Sequence, residues 1–371
     1  MYIDKLIETP SQQVRGKRIN ANRIAAAKRS FVTRRVELAD ATRIDLDAIP
    51  KAGDICLARL VRKGHHQRLE LPNGRRARMH PGDEIIVAFG NRYATDQFHA
   101  RVPERMGPCQ LVAAGGIAAE SLDRHASTRK PTDIETIGTL CREDGSPINL
   151  AEYAMPVDIG RSDRKESFVI AVFGSGMNAG KTTSVCEIVR ALDRTNLSTA
   201  AVKLTGTGAG GDLWQYQDCG AQAVLDFTDV GHASTMDLNT AELESITDRL
   251  IGAVDGKVDC IVVEIADGLL QRETQMMLRS DKFRDRIDSL VLATPDPLSA
   301  LGGREFLDRL GFKVAAFTGR ISASPLFVEE LRAVSSIPVL TSQDLETRDR
   351  SPIILLQGST DQPPLEDVGV A

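Results

Sequence analysis

Residues 174–183, GSGMNAGKTT, place three glycines, a lysine and two threonines in one short segment. The apolar run FVIAVF precedes the segment, and the apolar residues of the following VCEIVRAL recur at helical spacing. The segment is therefore predicted to join a buried strand to the amino end of a helix, where unpaired N–H groups and the helix dipole attract phosphate. Lys181 can reach the outer phosphates, and the Thr182 hydroxyl can bind Mg²⁺. The predicted nucleotide-binding residues of this loop are Gly174, Ser175, Gly176, Met177, Asn178, Ala179, Gly180, Lys181, Thr182 and Thr183.

The spacing differs from the common template G-x-x-x-x-G-K-[ST], because Ser175 stands at the place of the first glycine and Gly174 lies one residue earlier. G-S-G-M-N-A-G-K-T resembles the nine-residue loop G-T-D-T-x-V-G-K-T of the dethiobiotin synthetases. It is similar, more broadly, to the loops of the signal-recognition, MinD and biotin-synthesis class of P-loop proteins. The resemblance covers residues 168 to about 345. Gly176 stands where the synthetases have an aspartate, so the resemblance does not imply the same substrate chemistry.

The second predicted strand ends in AAVKL and leads into the glycine-rich loop TGTGAGGD. Lys203 resembles the lysine that the synthetases carry at the end of the corresponding strand, which implies a second cation facing the phosphates. Loops at the carboxyl ends of parallel strands bind ligands, so this loop is predicted to contact substrate. Asp212 suits either a helix N-cap or a contact in the second shell of Mg²⁺. The predicted substrate-binding residues here are Thr205, Gly206, Thr207, Gly208 and Asp212.

Asp212 followed by Gly220-Ala221 also resembles the G-K-D-S…A-G-A segment of the molybdopterin-guanine dinucleotide biosynthesis adaptor protein B, a member of the same class. The paired histidines that this adaptor has after the strand-end lysine are absent, because Leu204 and Thr205 stand there.

A third apolar run, IVVEIADG, carries Glu264 where its strand is expected to end. A buried glutamate is costly unless it is paired or coordinated, so Glu264 is predicted to be catalytic and, with Thr182, to bind Mg²⁺. Asp267 and Gly268 are predicted to line the acceptor site, although Asp267 could instead cap the following turn. The predicted catalytic residues are Lys181, Lys203 and Glu264. By the class resemblance, Thr318, Gly319 and Arg320 occupy the place of the base-binding segment, without its usual asparagine.

The elements that must position these residues follow from the pattern after residue 167. The apolar runs FVIAVF, STAAVKL, DCIVVEIA, SLVLATP, KVAAFTG and IPVL alternate with helical segments, which predicts a parallel sheet covered on both faces. The fold class is thus α/β, a parallel-sheet P-loop NTPase domain preceded by a smaller, mainly β domain. The predicted division is a basic helix-containing segment 1–50, a small β-barrel or sandwich 51–110, a closing segment and linker 111–166, the NTPase domain 167–345 and a tail 346–371.

Composition limits the kind of protein. A chain of 371 residues with 42% apolar and 26% charged residues is typical of a folded, two-domain protein. The six cysteines have neither CxxC nor zinc-type spacing, which argues against a disulfide framework or a zinc site. We expect a cytoplasmic protein with no membrane contact, because no run of about 18 apolar residues occurs and the first ten residues lack a secretion signal. Residues 1–110 hold 21 Lys and Arg against 12 Asp and Glu, a net +9.

These features predict a Mg²⁺-dependent, ATP-binding phosphotransferase or phosphate-activating synthetase with a small-molecule acceptor; GTP is possible in place of ATP. A nucleotide-dependent adaptor NTPase similar to the molybdopterin-guanine protein is the alternative from the binding class. A third possibility is a polynucleotide kinase that uses the basic amino-terminal part, since a family of RNA kinases also joins a β domain to such a P-loop domain. Nucleic acid is not the favoured partner, because the aromatic residues of this part form no evident stacking row. Proteins of this class often form homodimers across the nucleotide site.

Overall fold

The computed structural model describes residues 14–156, 166–346 and 351–356. Its strands are β1 (Lys17–Arg18), β2 (Lys28–Arg29), β3 (Arg43–Asp45), β4 (Ile55–Arg62), β5 (Arg68–Glu70), β6 (Arg76–Arg78), β7 (Glu84–Phe89), β8 (Arg92–Tyr93), β9 (Phe98–Arg101), β10 (Pro108–Ala113), β11 (Ile117–Arg124), β12 (Thr132–Cys141), β13 (Phe168–Gly174), β14 (Thr199–Lys203), β15 (Ala223–Asp226), β16 (Cys260–Glu264), β17 (Ser289–Ala293) and β18 (Ala316–Thr318). The helices are α1 (Ala21–Ala26), α2 (Lys181–Asp193), α3 (Gly211–Asp218), α4 (Thr240–Val254), α5 (Arg272–Leu278), α6 (Asp281–Arg284), α7 (Pro297–Arg309), α8 (Pro325–Arg332), α9 (Ser342–Glu346) and α10 (Ser351–Leu356). None of these described helices has the length and apolar character needed to cross a membrane.

The carboxyl-terminal half forms a parallel six-stranded sheet in the order β15-β14-β16-β13-β17-β18. Strands β13, β16 and β17 are almost entirely buried, because apolar clusters cover both faces of the sheet. The strand that leads into the glycine-rich loop, β13, lies between β16 and β17. The carboxyl ends of parallel strands meet at one edge, so this order brings the ends of β13, β14 and β16 together. The predicted α/β fold class, a parallel-sheet domain preceded by a mainly β domain, is confirmed.

Two details of the sheet differ from the prediction. The run IPVL at 337–340 is not a strand; only Val339 forms an isolated bridge, to Phe317. The outermost strand next to β14 is instead β15, whose four residues are too short a run to stand out as a strand in the sequence.

The amino-terminal half is built mainly on antiparallel pairing, and β7 pairs in parallel with β11 and with β2. Strands β12, β4, β7, β11 and β10 pair in a ring that returns to β12, so these five strands close into a barrel. Side chains alternate along each strand: Cys56, Ala58 and Leu60 of β4 belong to one apolar cluster, whereas Ile55 and Leu57 belong to another. The ten-stranded sheet takes strands from residues 17 to 141 and therefore crosses the predicted boundaries at 50 and 110. The reason is that β12 pairs with both β3 and β4.

The basic helix-containing segment predicted for residues 1–50 has one α-helix in its described part, residues 14–50. This helix is α1, with Asn20 as its N-cap, and the chain turns extended at Ala27; two short 3₁₀ helices follow at Phe31–Thr33 and Leu38–Asp40. Lys28 and Arg29 pair with Ile85 and Ile86 of β7, so tertiary pairing replaces the helix that local propensity favours.

Part of the predicted tail 346–371 packs on the parallel-sheet domain. Leu355 of α10 is fully buried in a cluster that also contains Val185 and Val189 of α2. Residues 347–350 and 357–371 lie outside the described residues, as do 1–13 and 157–165.

The two halves share an interface. Leu213 of α3 and Ala233 belong to the same buried cluster as Phe31 and Val32 of the amino-terminal half. Arg34 donates hydrogen bonds to Thr228 Oγ1 at 2.5 Å and to Asp229 Oδ1 at 2.6 Å. The helix α3 is therefore held between the barrel and the parallel sheet.

Candidate active site

The segment GSGMNAGKTT forms a loop between β13 and α2, as its residue types predict. Strand β13 ends at Gly174 and α2 begins at Lys181. Gly180 takes φ 102°, a conformation that side chains disfavour, and this turns the chain into the helix. A Cβ on Gly174 would lie 2.8 Å from Lys181 Nζ, so the glycine leaves room for the lysine inside the loop. Thr182 is half-buried and Thr183 is exposed.

The Lys181 side chain folds back into the space enclosed by this loop. The side chain is buried, and Nζ donates hydrogen bonds to the carbonyl oxygens of Gly176, at 3.0 Å, and of Asp267. Burial lowers the pKa of Lys181, and the nearby carboxylates of Glu264 and Asp267 oppose this shift. Two carbonyl oxygens that hold an ammonium group in an enclosed loop mark a position where that group can exchange them for phosphate oxygens.

A chain of polar contacts runs from the loop to the end of β16. The Thr182 hydroxyl donates to Asp212 Oδ1 at 3.2 Å, and Asp212 Oδ2 accepts from Lys203 Nζ. Lys203 Nζ lies 3.3 Å from Glu264 Oε1, and Tyr216 donates its hydroxyl proton to Glu264 Oε2. The three predicted residues Lys203, Asp212 and Glu264 are thus brought together beside Thr182.

The charges of this cluster stabilise one another. Burial acts to lower the pKa of Lys203, but Asp212 and Glu264 outweigh it and the pKa is raised above the ordinary lysine value. Burial acts to raise the pKa of Asp212, but Lys203 and the Thr182 hydrogen bond outweigh it and the pKa is lowered. Burial raises the pKa of Tyr216 well above its ordinary value, so this phenol remains a hydrogen-bond donor. Lys203 and Asp212 are therefore both charged at neutral pH.

The sequence allowed Asp212 to be a helix N-cap, but Asp212 does not cap α3. The N-cap of α3 is Gly210, and Asp212 stands in the first turn with its carboxylate directed at Thr182 and Lys203. Tyr216 was missed by the sequence analysis. A usable signal existed, because Tyr216 follows Asp212 by four residues and such pairs share a helix face.

The loop after β16 lies against the glycine-rich loop at 174–183. Asp267 takes part through its backbone. Its carbonyl oxygen accepts a hydrogen bond from Lys181, and its N–H donates to Gln271 Oε1 at 2.6 Å. Burial raises the pKa of the Asp267 carboxyl group, against the lowering effect of Lys181 and other nearby cations. A Cβ on Gly268 would lie 2.7 Å from Gly176 Cα, so only glycine allows the two loops to approach this closely.

The loop TGTGAGGD lies in the interface between the two halves. Thr205 is fully buried and its hydroxyl donates to the carbonyl oxygen of Ala266 at 2.5 Å, while Gly206 accepts a backbone hydrogen bond from Thr235. Thr207 forms a β-bridge with Ser234. A Cβ on Gly208 would lie 2.6 Å from Val32 Cγ1 of the amino-terminal half. These residues therefore hold the loop against the barrel domain and the segment after β15.

The segment Thr318, Gly319 and Arg320 contacts the glycine-rich loop at 174–183 from the other side. Arg320 N–H donates to the carbonyl oxygen of Ala179 at 2.9 Å, and the Oγ atoms of Thr318 and Ser184 are 3.3 Å apart. Thr318 is fully buried, whereas the Arg320 side chain is exposed. Of the three predicted base-binding residues, Arg320 is the one whose side chain a nucleotide can reach here.

The β8–β9 hairpin of the barrel domain contacts the middle of the glycine-rich loop, at Met177 and Asn178. Asn178 Nδ2 donates to Asp96 Oδ2, and Thr95 Oγ1 lies 3.7 Å from Met177 Sδ. Arg92 in this hairpin is buried, and burial lowers its pKa to about 10, while the charge of Asp267 has a smaller, raising effect. These contacts join residues about 80 positions apart, so no local sequence pattern indicates them.

A cavity of about 440 Å³ opens beside the first half of the loop. Its lining is mostly apolar and includes Met177, Leu269, Leu270 and Phe306. Within the described residues, no three His, Cys, Asp or Glu side chains form a metal-binding group by themselves.

No protein-family model and no curated protein matches this chain. Solved structures similar to part of it include the signal recognition particle receptor FtsY from Elizabethkingia anophelis in complex with GDP, at 17% identity over 48% of this chain and 58% of that chain, with a TM-score of 0.34. Another FtsY structure from the same organism has 16% identity over 57% of this chain and 74% of that chain, with a TM-score of 0.35. The kinase domain of the Escherichia coli tyrosine kinase ETK has 11% identity over 42% of this chain and 68% of that chain, with a TM-score of 0.32.

The chain thus spans less than two thirds of the GDP-bound receptor. At these identities the similarity concerns the fold alone. The resemblances to dethiobiotin synthetase and to the molybdopterin-guanine adaptor stay predictions.

Proposed function

We propose that this protein is a Mg²⁺-dependent nucleotide-binding phosphotransferase, with ATP as the first candidate nucleotide, GTP as the second, and a small-molecule acceptor. The observation that carries the proposal is the convergence of Lys181, Thr182, Lys203, Asp212 and Glu264 at the amino end of α2. Phosphoryl transfer needs mainly positioning and neutralisation of charge, and this cluster supplies both.

Two ammonium groups would neutralise the phosphates. Lys181 exchanges the carbonyl oxygens of Gly176 and Asp267 for phosphate oxygens, while the loop N–H groups bind the same phosphates. Lys203 is buried beside Thr182 and approaches from the β14 side of the loop. Its raised pKa keeps it charged at neutral pH.

The residues fit a magnesium ion. Mg²⁺ in phosphate-transferring enzymes is bound by few protein oxygens together with water and the substrate phosphates. The Thr182 hydroxyl and the Asp212 carboxylate, 3.2 Å apart, provide such a pair. The bound ion would supply positive charge between the outer phosphates. Glu264 lies deeper, forms an ion pair with Lys203 and accepts a hydrogen bond from Tyr216, so we assign it the positioning of Lys203.

The cavity beside Ser175, Gly176 and Met177 is the candidate acceptor site. It borders the loop that holds the phosphates, and Leu269 and Leu270 give it an apolar wall. An acceptor that places a nucleophilic oxygen or nitrogen at the loop and an apolar group against these leucines would fit it.

Lys181→Ala tests the proposal, with Lys313→Ala as the matched control because Lys313 is exposed. At a nucleotide concentration of about 100 Kd, a binding protein is stabilised by about 2.7 kcal/mol. We expect Mg-ATP or Mg-GTP to raise the melting temperature of the wild type and of Lys313→Ala, but not of Lys181→Ala. A wild-type protein that no triphosphate stabilises would refute nucleotide binding.

Turnover distinguishes the phosphotransferase from the adaptor alternative. A phosphotransferase consumes ATP faster when its acceptor is added, and Lys181→Ala abolishes this consumption. Slow hydrolysis that only a protein partner changes would favour the adaptor.

A further inference from the structure

The β5–β6 hairpin of the barrel domain is fixed to the amino end of α3. Glu70 of β5 is buried and accepts hydrogen bonds from the backbone N–H of Gly210 and from Trp214 Nε1, both at 3.0 Å. A Cβ on Gly74, in the hairpin turn, would lie 2.9 Å from Trp214 Cε2. The hairpin therefore packs directly on the indole ring and has a defined place beside the candidate active site.

Four arginines give this hairpin a high positive charge. Arg68, Arg75, Arg76 and Arg78 are exposed, and none of them forms an ion pair within the described residues. Arg68 and Arg78 stand directly opposite each other on the two strands. Like charges directly opposite each other on paired strands destabilise the folded state, so this pair does not contribute to the stability of the fold.

The arginines lie close to the polar cluster of the site. Arg76 Nη2 would be 3.4 Å from a Cβ placed on Gly211, and Gly211 immediately precedes Asp212. Arg76 and Arg78 are two residues apart on β6, which separates their Cα atoms by about 7 Å. The positive charge therefore forms an exposed row that begins beside α3.

The number and exposure of these charges indicate the ligand. One phosphate group carries at most about two negative charges, so four guanidinium groups match two or more phosphates. Small ligands bind in concave pockets, whereas these side chains lie on an exposed hairpin. An extended row of phosphates fits such a surface, and the half-buried Trp214 adds an aromatic ring next to it.

We propose that the β5–β6 hairpin binds the phosphate backbone of a single-stranded nucleic acid. Arginine binds phosphate oxygens through paired N–H groups, and such contacts recognise the backbone irrespective of sequence. This binding is separate from the proposed phosphotransferase chemistry and does not depend on it.

The experiment measures binding of labelled oligo(dT) and oligo(rU) of about 12 nucleotides between about 50 and 200 mM salt. Emission of Trp214, the only tryptophan of the chain, reports binding at the hairpin. Four phosphate contacts to a single strand give a slope of log Kobs against log salt of about −3. Arg76→Ala/Arg78→Ala is expected to reduce the magnitude of this slope by about 1.4.

The control is Arg105→Ala/Lys313→Ala, which removes the same charge from exposed positions and is expected to bind as the wild type does. Arg68→Ala/Arg75→Ala serves as a second hairpin variant, and an unchanged melting temperature shows that each variant folds. Equal slopes for the hairpin variants and the control would overturn the proposal. Binding of inorganic polyphosphate without binding of either oligonucleotide would overturn it as well.

Nucleotide binding is measured on the same samples. The hairpin variants are expected to keep the thermal shift with Mg-ATP, and Lys181→Ala is expected to keep oligonucleotide binding. Failure of the hairpin proposal is therefore distinguishable from failure of the proposed function.

Discussion

Replacing Arg34 by alanine tests how the two halves of the protein are held together. The Arg34 guanidinium donates to Asp229 at 2.6 Å and to Thr228 at 2.5 Å, and it lies 3.5 Å from Asp226. It also stacks over the Phe31 ring at 4.1 Å. Both aspartates are buried, so the substitution leaves two neighbouring buried carboxylates without their main cation. Breaking a buried ion pair in this way costs about 3–5 kcal/mol.

The change in melting temperature follows from the length of the chain. At about 2.1 cal/mol/K per residue, 371 residues give an unfolding entropy of about 0.8 kcal/mol/K. A loss of about 3–5 kcal/mol therefore lowers the melting temperature by about 4–6 °C, measured by differential scanning calorimetry at pH 8.

The loss should also depend on pH. Burial raises the pKa of Asp226, and Arg34 opposes this shift, so removing Arg34 raises the pKa further. A carboxyl group with a raised folded-state pKa is protonated more readily in the folded protein, and protonation removes the unpaired charge. The deficit of Arg34→Ala is therefore expected to be largest at pH 8 and to shrink as the pH falls towards 5.

Arg35 provides a control at the adjacent position. It lies 3.6 Å from Asp229, but more than a third of its side chain is exposed, and exposed pairs contribute about 0–1 kcal/mol. Arg35→Ala is expected to lower the melting temperature by about 1 °C or less. The reasoning is refuted if Arg34→Ala costs no more than Arg35→Ala, or if its deficit does not change with pH.

Two further predictions concern the site and its surroundings. Gly268→Ala places a Cβ 2.7 Å from Gly176 Cα and pushes the glycine-rich loop away, so we expect at least a tenfold loss of Mg-ATP affinity by calorimetry, about 1.4 kcal/mol. Gly252→Ala in α4, whose Cβ meets nothing within 4 Å, should bind normally. Burial, with the charge of Arg92, lowers the pKa of His66 from 6.5 to about 3, so its contribution to stability is complete above pH 6.5 and is lost as the pH falls towards 3. Between pH 7 and pH 5 the free energy of unfolding, measured in urea, should therefore fall by on the order of 1–2 kcal/mol less for His66→Gln than for the wild type. The same pH dependence of this free energy in both proteins would contradict the prediction.

Much of the parallel-sheet domain could be predicted from local patterns. Glycines and Lys181 between an apolar run and an amphipathic run determine a strand, a glycine-rich bend and a helix, because each of these depends on neighbouring residues. Lys203 and Glu264 could be placed at one edge of the sheet, since parallel strands end together. Runs that depend on distant partners were predicted less well: IPVL lacks the pairing of a strand, and Lys28 and Arg29 leave the helical pattern to pair with β7.

Only the tertiary structure decided which groups meet. From the sequence, Asp212 suited either a helix N-cap or a contact near the predicted magnesium site. The packing of α3 against α2 places its carboxylate next to the Thr182 hydroxyl instead of at the helix cap. The β8–β9 hairpin over Asn178 and the arginine hairpin beside Trp214 belong to the barrel domain, whose closure brings together residues far apart in the chain. Local sequence determines conformation through short-range sterics and periodicity. Contacts between Asp96 and Asn178, or between Glu70 and Trp214, depend on the packing of whole domains, and no short segment contains that information.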